Sequence, residues 1–130
     1  MNNKILIDSN LTLNIFPYFY YFTEPLSNSF TCLIKTISRN NSKDDKEISF
    51  GLTNIDNNHY IEILNSKKQE FIFFIGDLIR ISYDNNIFLV YFEYNKKNYI
   101  KIPFKNDDTI IYYPTIILND KYDTLEVSHD

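Results

Sequence analysis

The stretch of residues 74–92, FIGDLIRISYDNNIFLVYF, decides the fold. It consists of two apolar runs that are separated by the polar turn DNN at residues 84–86. In the first run, Ile79, Ile81 and Tyr83 occupy every second position. Because successive side chains of a β-strand point to opposite faces of a sheet, this alternation predicts a strand with one face in a core. The stretch therefore predicts two strands joined by a tight turn.

The same period of two recurs along the chain, whereas helix signals are nearly absent. The further runs are SFTCLIKTI, EISFGLT, HYIEIL, NYIKIPF, IIYYPTIIL and DTLEV. The polar turns between runs include SRNNSKDDKE, NIDNN, NSKKQ, YNKKN, KNDD and LNDKYD. Short strands with a turn about every ten residues are typical of an antiparallel sandwich or barrel. Since FIFFI and FLVYF are apolar on both faces and suit the centre of two packed sheets, we predict an all-β fold, a single antiparallel two-sheet β-sandwich.

Length and composition limit the classes of protein. The 130 residues suffice for one domain, residues 1–130, and its 11 Phe and 11 Tyr can supply a core without disulfides or metal. The single cysteine, Cys32, favours a reducing compartment, and no apolar segment is long enough for a signal peptide or a membrane span, so a cytoplasmic location is expected. The net charge of −4, with no basic patch, argues against nucleic-acid binding.

Candidate catalytic groups are few. A nucleophile pair of Cys32 and His59 is conceivable, but a thiol on an alternating strand is usually buried and inert, and His129, near the C-terminus, is expected to be mobile. The adjacent carboxylates Asp44-Asp45 and Asp107-Asp108 lie beside Lys in turns, which favours solvated side chains. Two His and one Cys are too few for a zinc site, and no Gly-rich phosphate loop is present. We therefore expect a chain that is not an enzyme and has no catalytic residue, cofactor or metal.

The pair Gly76-Asp77 in the opening stretch allows two interpretations. Gly permits a sharp backbone turn into the strand, and Asp can bond nearby amides. A catalytic or metal-binding role for Asp77 is the alternative, and Asp56 and Asp84 could bind calcium only if further oxygen ligands converged on them. We favour the structural interpretation. With two Gly in the chain, the tight turns must rely on Asn and Asp, which tolerate left-handed backbone.

Four short motifs follow one another in a particular order. They are Gly51-Leu52-Thr53, Gly76-Asp77, Asp84 at the end of the next strand, and Tyr113-Pro114. Their order and spacing resemble those of a SPRY domain and of the related Neuralized homology repeat, over residues 16–127. The chain departs from that pattern because no Trp follows the first strand and because NKKN, residues 95–98, stands in place of an Asn-Gly hairpin.

The resemblance implies a bent two-sheet sandwich that is non-catalytic and binds a peptide or a folded partner protein through loops at one end. Such domains serve as substrate receptors of ubiquitin ligases or as subunits of larger assemblies. In peptide-binding members, a Tyr after the Gly-Leu strand and the loop after the Tyr-Pro strand line the pocket, which implies Tyr60, Asn119 and Asp120 here. Asp56 and Tyr122 complete the implied partner-binding set. A solvent-facing strand position is an equal alternative for Tyr60.

Two other functions are compatible with the same fold. A carbohydrate-binding lectin would need an exposed aromatic platform among polar groups; Tyr is abundant, but Trp, the strongest stacking ring, is absent. A purely structural subunit of a complex would be expected to self-associate or to be poorly soluble alone. The segment IFPYFYYF, residues 15–22, has two interpretations: its rings enter the core, or some of them form an exposed surface that docks onto another protein.

Overall fold

A computed structural model describes residues 3–8, 18–38, 48–65, 76–93, 95–118 and 124–129. These residues form ten β-strands, and no helix occurs among them. The strands are β1 Asn3–Asp8, β2 Tyr18–Tyr21, β3 Ser29–Ser38, β4 Ile48–Asn54, β5 His59–Asn65, β6 Leu78–Asp84, β7 Ile87–Phe92, β8 Asn95–Pro103, β9 Tyr113–Leu118 and β10 Thr124–His129. The predicted all-β fold is confirmed.

The strands form two antiparallel sheets. The six-stranded sheet has the order β1-β10-β3-β6-β7-β8, and the four-stranded sheet has the order β2-β9-β4-β5. Buried side chains from both sheets form one hydrophobic core, and the sheets do not close into a barrel. The molecule is therefore a two-sheet β-sandwich, as predicted. In each sheet a strand from late in the chain lies between two early ones, β10 between β1 and β3 and β9 between β2 and β4.

The alternation in the opening stretch corresponds to alternate burial in β6. Ile79, Ile81 and Tyr83 are buried, whereas the intervening side chains are partly exposed. The neighbouring strand β3 follows the same rule and buries Phe30, Cys32 and Ile34. Strand β4 differs, since all seven of its residues are buried, as expected for a strand inside its sheet.

Aromatic rings connect the two sheets through the core. The Phe50 ring, on β4, lies 5.9 Å from the Phe88 ring of β7 and 6.2 Å from the Phe30 ring of β3, measured between centroids. Phe88 in turn contacts Phe104, whose ring packs edge-on against Tyr112. The rings thus form a continuous row from the centre of the sandwich to the segment between β8 and β9.

The aromatic segment near the N-terminus divides between the core and the surface. Strand β2 directs Tyr18 and Tyr20 toward the core, and Phe22 after it is buried. Phe19 and Tyr21 point to the outer face of the four-stranded sheet and remain 40% and 41% exposed. Period-two geometry accounts for this division. Residues 15–17 of the segment lie outside the described part of the chain.

Asn takes the left-handed backbone positions in the turns, as predicted. Asn58, Asn85 and Asn86 have φ angles of 51°, 51° and 63°. Gly76 has a φ of 90°, and its N–H donates to the carbonyl oxygen of Thr36 at 2.7 Å. The Thr36 N–H donates to the carbonyl oxygen of Asp77 at 3.0 Å, so the Gly76-Asp77 pair joins the start of β6 to β3.

Three predictions about local structure are wrong. Residues 95–98 belong to β8, because the pairing of β7 and β8 continues through a bulge to Phe92 and Asn95, and an edge strand tolerates Lys and Asn. Residues 110–112 precede β9 and are held in a loop, where the Tyr112 carbonyl accepts the Leu26 N–H at 2.7 Å. His129 lies in β10, with its ring 5.4 Å from Phe22 and 5.3 Å from Phe30. The predicted FIFFI strand lies outside the described residues.

Candidate functional site

Four described connections meet at one end of the sandwich, which we call the loop end. They are residues 22–28 between β2 and β3, 55–58 between β4 and β5, 85–86 between β6 and β7, and 104–112 between β8 and β9. Antiparallel pairing brings them together, because Asp84 pairs with Ser29 and Tyr113 pairs with Thr53. Connections positioned in this way on a rigid sandwich are a common place for binding residues.

The longest of these connections, residues 104–112, is fixed at its beginning to the core. The Tyr83 hydroxyl donates to the Phe104 carbonyl at 2.8 Å, and the Phe104 N–H donates to the Asn86 carbonyl at 2.9 Å. The Phe104 ring continues the row of core aromatics. Because both backbone groups of Phe104 are bonded to the β6–β7 hairpin, the start of the connection has a defined position.

The connection between β2 and β3 is tied to the end of the same loop. The Phe22 N–H donates to the Pro114 carbonyl at 2.9 Å, and Leu26 is buried while its N–H bonds to Tyr112. Between these two anchors, Thr23, Glu24 and Pro25 are exposed. The loop end is therefore an ordered surface built on the two sheets.

Two depressions on the loop end share lining residues. One has a volume of about 180 Å³ and is lined by Ile55, Asp56, Ile111 and Tyr113. The other has a volume of about 320 Å³ and is lined by Pro25, Leu26, Ser27, Asn28, Asn106, Asp107, Asp108, Ile110, Ile111 and Tyr113. Ile111 and Tyr113 line both, so the two depressions are adjacent, and we call the pair, which involves three connections, the groove. The second volume lies at the lower limit of typical ligand pockets.

Two isoleucines in this groove are unusually exposed for their residue type. Ile55 and Ile111 are both 56% exposed. Scattered apolar residues are normal on a protein surface, but these two line one cavity beside the half-buried Tyr113. The groove therefore combines an apolar floor with carboxylates and amides.

The Asp107 carboxylate is held in place by hydrogen bonds from Thr109, in the same loop. The backbone N–H and the hydroxyl of Thr109 donate to Oδ1 of Asp107 at 2.9 and 2.7 Å. These hydrogen bonds hold the pKa of the Asp107 carboxyl below its usual value, because they favour the charged form. The Ile110 N–H donates to the Asp107 carbonyl at 3.0 Å, which closes the turn.

Of the predicted partner-binding residues, the structure describes Asp56 and Tyr60. Asp56 lies on the loop end, in the turn between β4 and β5, where its N–H donates to Oδ1 of Asn54 at 3.1 Å. Asn119, Asp120 and Tyr122 lie outside the described residues.

Tyr60 lies on the outer face of the four-stranded sheet, next to the loop end. Its ring covers Gly51, since a Cβ at that position would lie 2.5 Å from Cζ of Tyr60. The Tyr60 hydroxyl and the Ser49 hydroxyl are hydrogen-bonded at 2.5 Å. Burial raises the pKa of the Tyr60 hydroxyl, with the Ser49 bond acting in the opposite direction. Tyr60 is thus a packed, half-buried residue of the sheet.

The groups that could have formed a catalytic pair are separated. Cys32 is buried in the six-stranded sheet, and burial raises the pKa of its thiol. His59 is exposed at the start of β5 in the other sheet. His129 is the register partner of Cys32, but its ring packs on phenylalanine rings. Among the described residues, no group of three or more His, Cys, Asp or Glu could hold a metal ion.

Comparison with known proteins assigns no family to the chain. No protein-family model matches it, and no curated protein does. Within the described ranges, no helix has the length and apolar character needed to cross a membrane. The candidate site therefore depends on the geometry of the loop end.

Sequence reasoning missed the apolar part of the groove. Ile55 stands alone in a polar turn, NIDNN, and this was the available signal for an exposed isoleucine. Ile111 gave no such signal, because IIYYPTIIL reads as one continuous strand. Its exposure results from the position of β9, which begins only at Tyr113.

Proposed function

We propose that this chain is a non-catalytic, cytoplasmic protein-interaction module of the SPRY or Neuralized kind. It binds a partner protein through the loop end, either as a substrate receptor of a ubiquitin ligase or as a subunit of a larger assembly. The observation that carries the proposal is the groove in which the exposed Ile55 and Ile111 lie beside Tyr113. A protein interface needs an apolar centre and a polar rim, and this groove offers both.

Two further features support the same proposal. The anchored loops keep the groove in one shape, which lowers the entropic cost of binding. The two-sheet sandwich also agrees with the fold that the sequence resemblance implies.

The proposal is tested by proximity labelling in the native cell with wild-type protein and with the double variant Ile55→Ser/Ile111→Ser. Purified partners identified in this way are then titrated against both proteins. We expect the double variant to bind at least about tenfold more weakly, since two apolar contacts are lost. Its free energy of unfolding should change by no more than about 1 kcal/mol, because both side chains are exposed.

The matched control is Ile37→Ser. Ile37 is 39% exposed on β3, near the end of the strand that is remote from the loop end. Wild-type partner affinity is expected for this control. Equal labelling and equal affinity for the groove variant and the wild type would contradict the proposal, and so would the absence of any enriched partner.

A second candidate function, sugar binding, is favoured by one observation. Phe19 and Tyr21 form an exposed pair of rings on the outer face of the four-stranded sheet, 6.3 Å apart and within 10° of parallel. Sugars stack on exposed aromatic rings, and this pair of rings is a platform of the kind that such binding requires. This surface is separate from the loop end.

A glycan screen tests this second candidate. If it is correct, a sugar should bind with a dissociation constant of about 1 mM, and Phe19→Ala/Tyr21→Ala should abolish the binding. The groove variant Ile55→Ser/Ile111→Ser serves as the control and should bind the same sugar normally. If the wild-type protein bound no glycan in the screen, sugar binding would be contradicted and the protein-interaction proposal would be unaffected.

A further inference from the structure

The loop end is strongly acidic as well as apolar. Exposed carboxylates come from all four of its connections or the strand ends beside them, namely from Glu24, Asp56, Asp84, Asp107 and Asp108. Lys105 is the single Lys or Arg in these connections. The arrangement therefore carries an excess of negative charge over a small area, which would attract a positively charged partner.

Most of the acidic groups line the groove or a depression beside it. Asp56 lines the depression that contains Ile55 and Ile111, and Asp107 and Asp108 line the larger depression that shares Ile111. Asn28 lines the larger depression and also a third one, which contains Asp84. Four of the five carboxylates thus line depressions of the loop end that are connected by shared lining residues.

Three of these carboxylates are open to a cation. Within the described ranges, Asp56, Asp84 and Asp108 make no side-chain hydrogen bond or ion pair. Asp107 is held by Thr109, so its charge has a fixed position. A lysine or arginine of a bound segment would find charge acceptors on both sides of the apolar floor, and charge-assisted hydrogen bonds are stronger than neutral ones.

We propose that the loop-end groove binds an extended segment of a partner protein in which an apolar side chain is flanked by lysine or arginine. This inference rests on the proposed function and names the chemistry of its partner. The apolar side chain contacts Ile55 and Ile111, while the flanking cations face Asp56 on one side and Asp107 and Asp108 on the other. Charge complementarity selects this occupant over acidic or neutral segments.

The test uses the purified full chain and fluorescein-labelled synthetic peptides with a central Leu or Phe flanked on both sides by Lys, by Ser or by Glu. Fluorescence polarisation measures each dissociation constant at about 50 mM and about 500 mM NaCl. The Lys-flanked peptides should bind at least about tenfold more tightly than the Glu-flanked ones. Their advantage should fall several-fold at the higher salt concentration, since exposed charges are screened.

Two matched double variants distinguish the contribution of the carboxylate charges to peptide affinity from the contribution of side-chain shape. Asp56→Asn/Asp108→Asn should weaken the Lys-flanked peptides about tenfold, and Asp56→Glu/Asp108→Glu, which keeps the charge, should retain most of the affinity. Equal binding of all three peptide types, with loss in Ile55→Ser/Ile111→Ser, would overturn the cationic requirement and leave the proposed function standing. A preference for Glu flanks, or no binding of any peptide at about 1 mM, would overturn the inference. The partner titrations described above would still decide the proposed function.

Discussion

Replacing Phe50 with alanine should lower the free energy of unfolding by about 3–5 kcal/mol, the largest effect expected of any single substitution considered for this chain. Phe50 is 2% exposed and is the ring through which β4 contacts both Phe30 and Phe88 of the opposite sheet. Its truncation removes a large apolar surface and leaves a cavity between the sheets. Chemical denaturation followed by far-ultraviolet circular dichroism measures the change.

Two variants test whether the contact between sheets is the cause. Phe50→Leu keeps most of the volume and should cost less than about 2 kcal/mol. Phe19→Ala removes a ring of the same type from the outer face of β2, a strand of the same sheet as β4. Phe19 is 40% exposed there, and its loss should cost about 1 kcal/mol or less. A cost below about 1 kcal/mol for Phe50→Ala would contradict the central position of this ring.

Replacing Gly51 with alanine should destabilise the chain by about 3 kcal/mol, although it adds one methyl group. A Cβ at this position would lie 2.3 Å from the Ile61 carbonyl oxygen and 2.6 Å from Cε1 of Tyr60. The oxygen belongs to the backbone of the neighbouring strand and cannot turn aside, so β4 and β5 would have to separate. The unfolding free energy of the purified variant gives the measurement.

Gly76→Ala is the control for the loss of a glycine as such. Gly76 has a φ of 90°, but among the described residues a Cβ there would meet nothing within 4 Å, so only backbone strain of about 1–2 kcal/mol is expected. The double variant Gly51→Ala/Tyr60→Ala should recover little stability, because the clash with the Ile61 oxygen remains. A smaller cost at Gly51 than at Gly76 would show that the strands β4 and β5 are not packed as described.

The parts of the fold that could be predicted are those set by neighbouring residues. The alternation of Ile79, Ile81 and Tyr83 specifies a half-buried strand, and the Asn residues at 85 and 86 specify a tight turn, because both properties depend on local backbone geometry. The exposure of Asp56 also follows from its place in a polar turn. The prediction of a two-sheet sandwich needed only the number and spacing of such strands.

The remaining features depend on contacts between distant parts of the chain. Nothing in the local sequence distinguishes residues 110–112 from the strand that follows them. The hydrogen bond from the Leu26 N–H to the Tyr112 carbonyl keeps them in a loop, and it joins residues about 80 positions apart in the chain. His129 is ordered by rings near the opposite end of the chain, Phe22 and Phe30. The groove itself is assembled from three separate connections, so its apolar floor was not visible in any one segment.

The position of β9 and β10 has a consequence for how the chain is made. Among the described strands, β2 has β9 as its hydrogen-bonded neighbour and β1 has β10, so both early strands stay unpaired until residues 113–129 leave the ribosome. Long-range pairing of this kind folds slowly, and nascent chains with open strand edges are prone to aggregate. Folding is therefore expected to follow synthesis of these last strands, and ribosome-bound chains that stop before residue 113 should depend on chaperones to remain soluble.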